Sequence, residues 1–558
     1  MRSYKSYCIR ILTSLLCIVL AGGVMTPPSG YSEEIGAMEA LSAAISEHLV
    51  CYPVEVMRFK DQQLTVTPKA LCLGMVYQVT APRPFWVRPD GPGLNAMIIL
   101  DFLKKAEAEG LDPNNYEVDK IAARFESREP RMLAELDTLL TFNLIKYIHD
   151  VSKGQIKPYY AETEMFVPAD EVDFEPVTTM AKVLGTQDLA GYLAGLPPAH
   201  AHYTHLKTAL MTYRAIEKNG GWPAIPPGKI IRTGDDDDRL PAIIRRLSAT
   251  GDLAPEMTPD NHYSPLLRQS IVRFQARHGL AADGNVGPHT LAAMNVSVAA
   301  RIQQIIVNMT RWRWHAHDLG KKYVLVNIAN FDLKAFEDGQ EVFQFPVIVG
   351  KNNHQTPIFS DRIRYISLNP YWNIPPNIAA NEELPKLRKN PHHLVNRRIR
   401  LFSGWGDNAR EIDSRFVDWK NVSPAMMRQY KLRQDFGPWN ALGRIKFDFP
   451  NKYDVYLHDT PSHNLFSRTQ RDFSHGCIRV SDPEKLAVWV LQGQATDWPP
   501  EKISSTIKGK KQVFIRVAEP VPVHITYQTS WVDKGGLICF NSDIYDRDRS
   551  LRRAIFNQ

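Results

Sequence analysis

Cysteine is scarce in this sequence, with six among 558 residues. That is too few for a disulfide-stapled scaffold, and no second cysteine pair or His-Glu-x-x-His run supports a recognisable zinc pattern. Charge of one sign is also lacking. The 67 Lys and Arg exceed the 60 Asp and Glu by 7, spread along the chain rather than gathered into an arm or helix. This argues against nucleic-acid binding and leaves at most weak attraction to an anionic polymer or membrane surface. Nor is there a full-length apolar run, because Ile11 to Met25 stops short of the ~20 residues a spanning helix needs. What is present is 44% hydrophobic and 10% aromatic content, enough for several cores and roughly three or four domains.

Arg2, Lys5 and Arg10 precede that apolar run, and Thr26-Pro27-Pro28-Ser29-Gly30 follows it. This is the layout of an export signal over residues 1–32, either cleaved after Ser32 or kept as a membrane anchor. In both cases the remaining chain is delivered across the membrane. Cysteine usage agrees: Cys8 and Cys17 fall in the signal, and Cys51 and Cys72 are close enough in sequence to pair. Cys539, in Gly536-Leu537-Ile538-Cys539-Phe540, reads as a small buried hydrophobe on a strand. Cys477 alone stands among polar and histidine neighbours.

Apolar residues at helical spacing over Gly36–Leu49, Gly93–Glu109 and Met132–Val151 predict a helical scaffold domain over residues 33–228. A three-helix module follows over residues 229–297, with apolar Leu267, Ile271, Phe274 and Leu280 at helical steps and turns at Asp283-Gly284 and Gly287-Pro288. Asp235 to Asp238 lack the Gly and Glu spacing of a calcium loop and read as a solvated loop. Residues 298–320 are expected to be a linker helix. From Lys321 the pattern alternates, with β-branched residues and an Asp338-Gly339 turn, predicting a β-rich domain over 321–520 with further strands at Arg364–Leu368, Tyr453–His458 and Val513–Val517. Residues 371–440 interrupt it with helical and aromatic segments, as a capping insertion would, and residues 521–558 are expected to be a C-terminal tail.

The chemistry concentrates in "HDTPSHNLFSRTQRDFSHGCIRV", residues 458–480. A strand from Asp454 to His458 places Tyr456 and His458 on one face, and the following loop is long enough to bring Cys477 back to the imidazole. A thiol beside an imidazole ionises more readily and becomes the nucleophile for an acyl carbon. Gly476 permits close backbone approach, so amides of Gly476 and Cys477 are candidates for an oxyanion site. A helix from Asp482 to Leu491, capped by Ser481, would add its positive end to the thiolate's stabilisation. Two other readings stay open: a zinc site built from His458, His463, His475 and Cys477, and a purely structural cluster.

The His458 and Ser474-His475-Gly476-Cys477 pattern resembles the YkuD-type L,D-transpeptidase family, and the "NPYWNIPP" and "GPWNALGRIKF" stretches resemble its large gram-negative, YcbB-like branch. Phe274-Gln275, Gly279-Leu280, Asp283-Gly284 and Val286-Gly287-Pro288-His289-Thr290 resemble the peptidoglycan-binding domain 1 family. The resemblance implies a multidomain α+β fold: a helical scaffold, a small peptidoglycan-binding module and a β-rich catalytic domain with a capping subdomain. It implies a periplasmic enzyme without a cofactor or metal, in which Cys477 is the nucleophile and His458 the base and later acid, with backbone carbonyls orienting the imidazole. Tyr456, Gly476 and the Cys477 amide would line the oxyanion site, while His475, Arg479 and Trp372 would shape the substrate groove. Arg479 reads equally as a structural ion-pair residue. The implied partners are peptidoglycan stems, a tetrapeptide donor and an amine acceptor joined in a 3→3 cross-link, and β-lactams of the carbapenem class as inhibitors. Alternatives are an L,D-carboxypeptidase, a zinc-dependent wall peptidase, or a mainly wall-binding scaffold. In the insertion, Arg388, Arg397, Arg398 and Arg400 are candidates for attracting acidic stems, against a reading as a solvated face.

Overall fold

The computed structural model describes residues 29–51, 69–80, 83–158, 174–253, 260–495, 498–509 and 511–556. The apolar run of the expected export signal and the side chain of Cys51, and with it the expected Cys51–Cys72 pairing, lie outside the described residues. The described residues fall into two compact units, one from those up to 100 and from 119 to 142, the other from 101–118 and those from 143 onward. The first is organised around the fully buried Asp137. Its carboxylate accepts from the Tyr77 hydroxyl at 2.5 Å and from the backbone amides of Phe85, Trp86 and Val87. Burial raises this carboxyl to about 6, opposed by those same donors.

Within the second unit the expected module is three helices, Leu240–Ala249, Pro265–Arg277 and Pro288–Met294, around Ile243, Leu267, Ile271 and Phe274. Ser264 caps the middle helix by accepting from the Leu267 amide at 3.2 Å. Its motif residues tie the turn down. Gln275 donates to the Asn285 carbonyl at 2.9 Å and accepts from the Gly284 amide at 2.8 Å.

The helix Val298–Trp314 was expected as a linker, but it is a core element. Ile305, Val307, Met309 and Trp312 are almost wholly buried. Arg311 pairs with Asp548 at 2.6 Å, and Asn308 exchanges hydrogen bonds with Thr529. A helix apolar on most of its surface must be covered on most sides, and here elements from both ends of the unit cover it.

The β-rich domain contributes β1 (Lys322–Asn327), β2 (Asp332–Glu337), β3 (Gln340–Gly350) and β4 (Phe359–Leu368). The insertion then supplies β5 (Trp372–Ile374), β6 (Ile399–Phe402), β7 (Glu411–Ile412) and β8 (Lys431–Gln434). The domain resumes with β9 (Ile445–Asp448), β10 (Leu457–His458), β11 (Asp472–Ser474), β12 (Ile478–Val480) and β13 (Val513–Thr526). Asp338 and Gly339 join β2 to β3 with φ of 48° and 78°, the paired positive angles of a type I′ hairpin turn. The strand order is β11-β3-β12-β10-β9-β4-β13-β1-β2, and β2 also pairs with β3, closing the ring apart from β11. Its core holds Val324, Val347, Ile366, Phe447, Leu457 and Ile478. The insertion folds on its own small sheet, order β5-β8-β6-β7, over a separate core of Leu384, Leu387, Leu401 and Leu432.

The chain after residue 520 is no tail. Strand β13 runs through that boundary, and Val523–Thr526 form its parallel pairing with β1. Tyr527, Tyr545 and Leu551 lie in the ring's core. Glu519 and Pro520 interrupt the alternation beyond Val517, and the ladder shifts register there and resumes. Truncation after residue 520 therefore removes half of a central strand. The truncated protein is expected to lack a cooperative thermal transition, measured by circular dichroism against the full chain.

Histidines enclosed in this unit are held neutral. Burial lowers His200 to about 3, His202 to about 4 and His315 to about 3, and lowers His524 also. Their folded values lie below the ordinary 6.5, so the stability they contribute is complete above that pH and is lost as pH falls towards 3. The urea midpoint is expected to drop steadily below pH 6.5, more steeply than in a His202→Gln variant.

Candidate active site

Strands β10 and β12 run parallel, with Leu457 opposite Ile478 and His458 opposite Arg479, and the Ile478 amide donates to the Tyr456 carbonyl at 3.1 Å. Leu457 and Ile478 are fully buried in the ring core. Alternation then sends Tyr456, His458, Cys477 and Arg479 to the opposite face. Lys446, opposite His458 on the antiparallel β9, joins them. The expected strand from Asp454 shortens to Leu457–His458, because Asp454 adopts φ 54°, outside the extended range. The Tyr456 and His458 rings nonetheless stand 5.6 Å apart, edge to face.

The His458 Nδ1 donates to the Asp459 carbonyl at 2.5 Å, which leaves Nε2 as the nitrogen able to accept a proton. The Asp459 carboxylate accepts from the Arg444 and Thr460 amides, both at 2.7 Å. Burial lowers His458 to about 3, and the Arg479 and Lys446 charges add to that. Burial likewise raises the Cys477 thiol, against lowering contributions from Tyr456, Lys446 and Arg479. The thiol donates to the Asp454 carbonyl at a sulfur distance of 3.7 Å. The expectation of a readily ionised resting thiol is thus corrected: both partners rest neutral because desolvation outweighs the neighbouring charges. The expected helix is Pro483–Leu491, capped by Asp482 rather than Ser481, and the Asp482 carboxylate accepts from the Lys485 amide at 3.1 Å.

Gly476 adopts φ 113°, a conformation that glycine alone takes without strain. Its carbonyl accepts from Thr356 Oγ1 at 2.8 Å, and Thr356 in turn accepts from the Gly350 amide at 2.9 Å. Its own amide donates to Ser474 Oγ at 3.1 Å, so that donor is occupied and the expected oxyanion role of Gly476 reduces to shaping the loop. Ser474 Oγ donates onward to the Cys477 carbonyl at 2.5 Å. Two donors lie by the sulfur: the Cys477 amide, which has no acceptor among the described residues, and the Tyr456 hydroxyl, which is hydrogen-bonded to the Cys477 side chain.

Arg479 Nε is buried without a hydrogen-bond partner, and no ion pair joins this side chain among the described residues. The structural ion-pair reading therefore finds no partner for Arg479 among the described residues. His475 is exposed, bonded through Nε2 to Glu382 Oε1 at 2.5 Å and edge to face with His354 at 5.1 Å. Glu382 lies in the single π-turn Ala379–Glu383 of the insertion, so the insertion reaches the rim of the site. Trp372 instead packs against the insertion's own core, and no contact joins it to the Cys477 cluster among the described residues.

The candidate arginines of the insertion are engaged locally. Arg388 donates to the Trp419 and Val422 carbonyls, Arg397 pairs with Glu383, Arg398 covers the Trp439 ring at 3.5 Å and Arg400 pairs with Asp435. His458, His463, His475 and Cys477 do not converge, and no group of three metal-ligating side chains occurs among the described residues. Lys446, Thr356 and Glu382 escaped sequence reasoning. A Lys-x-Asp on a strand carried the only local signal, since Lys446 pairs with Asp448 at 2.5 Å and sits 4.1 Å from the Tyr456 ring centroid.

The closed β-ring thus sets Cys477, the residue just before β12, beside the parallel strand β10 that carries His458. Residues 321–515 match the family model described as the YkuD L,D-transpeptidase catalytic domain. Residues 72–210 match a scaffold domain and residues 237–294 a "Putative peptidoglycan binding domain". A Haemophilus influenzae protein described as a "Putative L,D-transpeptidase" is 30% identical over 234 residues, covering 42% of this chain and 46% of that protein. The chain thus spans about half the length of this relative. Among solved structures, an L,D-transpeptidase from Mycobacterium smegmatis is 11% identical, covering 37% of this chain and 58% of that one, with a TM-score of 0.18. One from Xylanimonas cellulosilytica is 15% identical, covering 54% and 99%, with a TM-score of 0.17.

With the thiol held above its ordinary range, thiolate becomes abundant only at high pH. Iodoacetamide alkylation of Cys477, followed by mass spectrometry, is expected to accelerate through pH 9 and beyond. A plateau reached below pH 8 would show a preformed ion pair instead.

Proposed function

We propose that this protein is a periplasmic L,D-transpeptidase that forms 3→3 cross-links between peptidoglycan stems through a thioester on Cys477. The observation that carries the reading is the shared face of β10 and β12, where Cys477, Tyr456, His458 and the unpartnered Arg479 stand together. The neutral pair suits substrate-triggered chemistry. As Sγ attacks the carbonyl between the third-position diamino acid and D-Ala of a tetrapeptide stem, its proton passes to His458 Nε2. The negative charge gathered on the carbonyl oxygen is met by the Cys477 amide and Tyr456 hydroxyl. Collapse breaks the C–N bond, His458 returns the proton to the departing amine of D-Ala, and the thioester remains. An amine of a second stem then attacks, His458 takes a proton from it, and the thiol leaves protonated. Water in place of the amine would make the protein an L,D-carboxypeptidase.

Arg479, desolvated and without a carboxylate of its own, suits a stem carboxylate. Carbapenems, whose strained ring is an acyl donor, are the expected covalent inhibitors. The zinc-peptidase and scaffold-only readings have no comparable observation behind them.

Incubation with disaccharide-tetrapeptides and mass spectrometry of the products tests the reading. Wild type is expected to release D-Ala and yield 3→3 dimers and to gain the mass of a carbapenem. Cys477→Ala should do neither while keeping its thermal transition. Product formation by Cys477→Ala that a chelator abolishes would replace this mechanism with a metal-dependent one. Arg479→Gln is expected to raise KM for the tetrapeptide at least tenfold with a smaller effect on kcat. A loss confined to kcat would place Arg479 in transition-state stabilisation instead.

A further inference from the structure

Three polar side chains on the face that carries Cys477 take no part in the proton transfers proposed above: Ser367 of β4, and Lys446 and Asp448 of β9. Strand register brings them together. Lys446 lies opposite Ser367 on one side and His458 on the other, and Asp448, two residues along β9, shares its face. Ser367 is fully buried, and its Oγ donates to one Asp448 carboxylate oxygen at 3.3 Å. Lys446 Nζ stands 2.5 Å from the other oxygen. The Lys446 and Asp448 side chains are only 23% and 26% exposed, so water screens this pair less than it screens a surface pair.

Across an antiparallel strand pair, a long side chain reaches the residue diagonal to it as well as the one opposite. Lys446 does so. It lies opposite His458, yet its Nζ stands over the ring of Tyr456, 4.1 Å from the centroid. The Tyr456 hydroxyl is in turn hydrogen-bonded to the Cys477 side chain. A continuous chain of contacts therefore runs from Ser367 through Asp448 and Lys446 to Tyr456 and the sulfur.

We propose that Lys446 is a positioning residue: held by Asp448, it fixes the Tyr456 ring and strengthens its hydroxyl as the hydrogen-bond donor to the reacting sulfur and to the oxygen of the attacked carbonyl. The identity of that carbonyl rests on the transpeptidase reading. A cation on the face of an aromatic ring is drawn to the π electrons, which holds the ring in place. It also pulls electron density from the phenol, which makes the O–H a better donor. The charged and titratable groups facing the phenol and the thiol are the carboxylates of Asp448 and Asp454, the cations of Lys446 and Arg479, and the neutral His458. Both carboxylates disfavour negative charge on the phenol, and pairing with Lys446 offsets the first of them. With Lys446 removed, Arg479 is the one cation left among these groups, set against two carboxylates.

The test uses the full chain. Lys446→Met keeps the length of the side chain without its charge, and Lys446→Arg keeps the charge. Lys446→Met is expected to lower kcat for D-Ala release from disaccharide-tetrapeptides at least tenfold while KM stays within twofold. It should also move the pH profile of Cys477 alkylation by iodoacetamide to higher pH, since Lys446 is one of the groups that lower the thiol against burial. Lys446→Arg is expected to restore most of both. In a Tyr456→Phe background the further loss of kcat from Lys446→Met should be less than twofold, because the hydroxyl through which Lys446 acts is already gone. An undiminished tenfold loss in that background would show Lys446 acting on the reacting atoms directly, and an unshifted alkylation profile with unchanged kcat would make it an ordinary pair on a strand face; either result overturns the proposal. If Lys446→Met loses its thermal transition, Lys446→Gln carries the same comparisons. Alkylation is independent of the enzyme's own reaction. A wild type that releases no D-Ala, with the alkylation shift intact in Lys446→Met, would sink the transpeptidase reading and leave the Lys446 to Tyr456 link standing; D-Ala release that Lys446→Met leaves unchanged would do the reverse.

Discussion

The parallel pairing of Leu457 with Ile478 is the constraint on which the site depends. Because both side chains are committed to the ring core, their neighbours have no choice of face, and Tyr456, His458, Cys477 and Arg479 are sent outward together. A slip of one residue would expose two aliphatic side chains and bury a guanidinium, so hydrophobic burial enforces the catalytic register. The ring makes the slip harder still, since β10 and β12 are locked between β9 and β3 and closure leaves the ring itself no edge from which to shift.

The same burial sets the electrostatics. Desolvation acts on a base and an acid in opposite directions, lowering His458 and raising Cys477, and so holds a proton on sulfur and none on Nε2. Lys446 and Arg479 act against the thiol's rise but reinforce the imidazole's fall. A site arranged this way rests with a protonated thiol beside a neutral imidazole. The Asp459 carbonyl in place of a carboxylate fits that balance, because it fixes the tautomer through Nδ1 without adding a charge that would stabilise imidazolium.

The core of the site was legible in residues 458–480 because a histidine at a strand end and a Ser-His-Gly-Cys turn are local features. Gly476 was readable for the same reason, although its role moved: the amide offered to an oxyanion is spent on Ser474, while the positive φ is what the turn requires. Trp372 packs against the insertion's small core, an environment that an aromatic three residues before a proline pair does not announce in the sequence. Glu382 stands 93 residues before His475, and no period or spacing connects them.

Taken alone, the sequence determined the elements whose causes are local: the Asp338-Gly339 hairpin, the three module helices and the His-Cys pair. Tertiary structure alone decided what depended on distant partners. The helix Val298–Trp314 became a core element, the last residues completed β13 against β1, and the thiol rested neutral. The physical reason is common to all three. Burial is a property of the assembled fold, and it is burial that turns a linker into a core, a tail into a strand and a histidine-flanked cysteine into a protonated one.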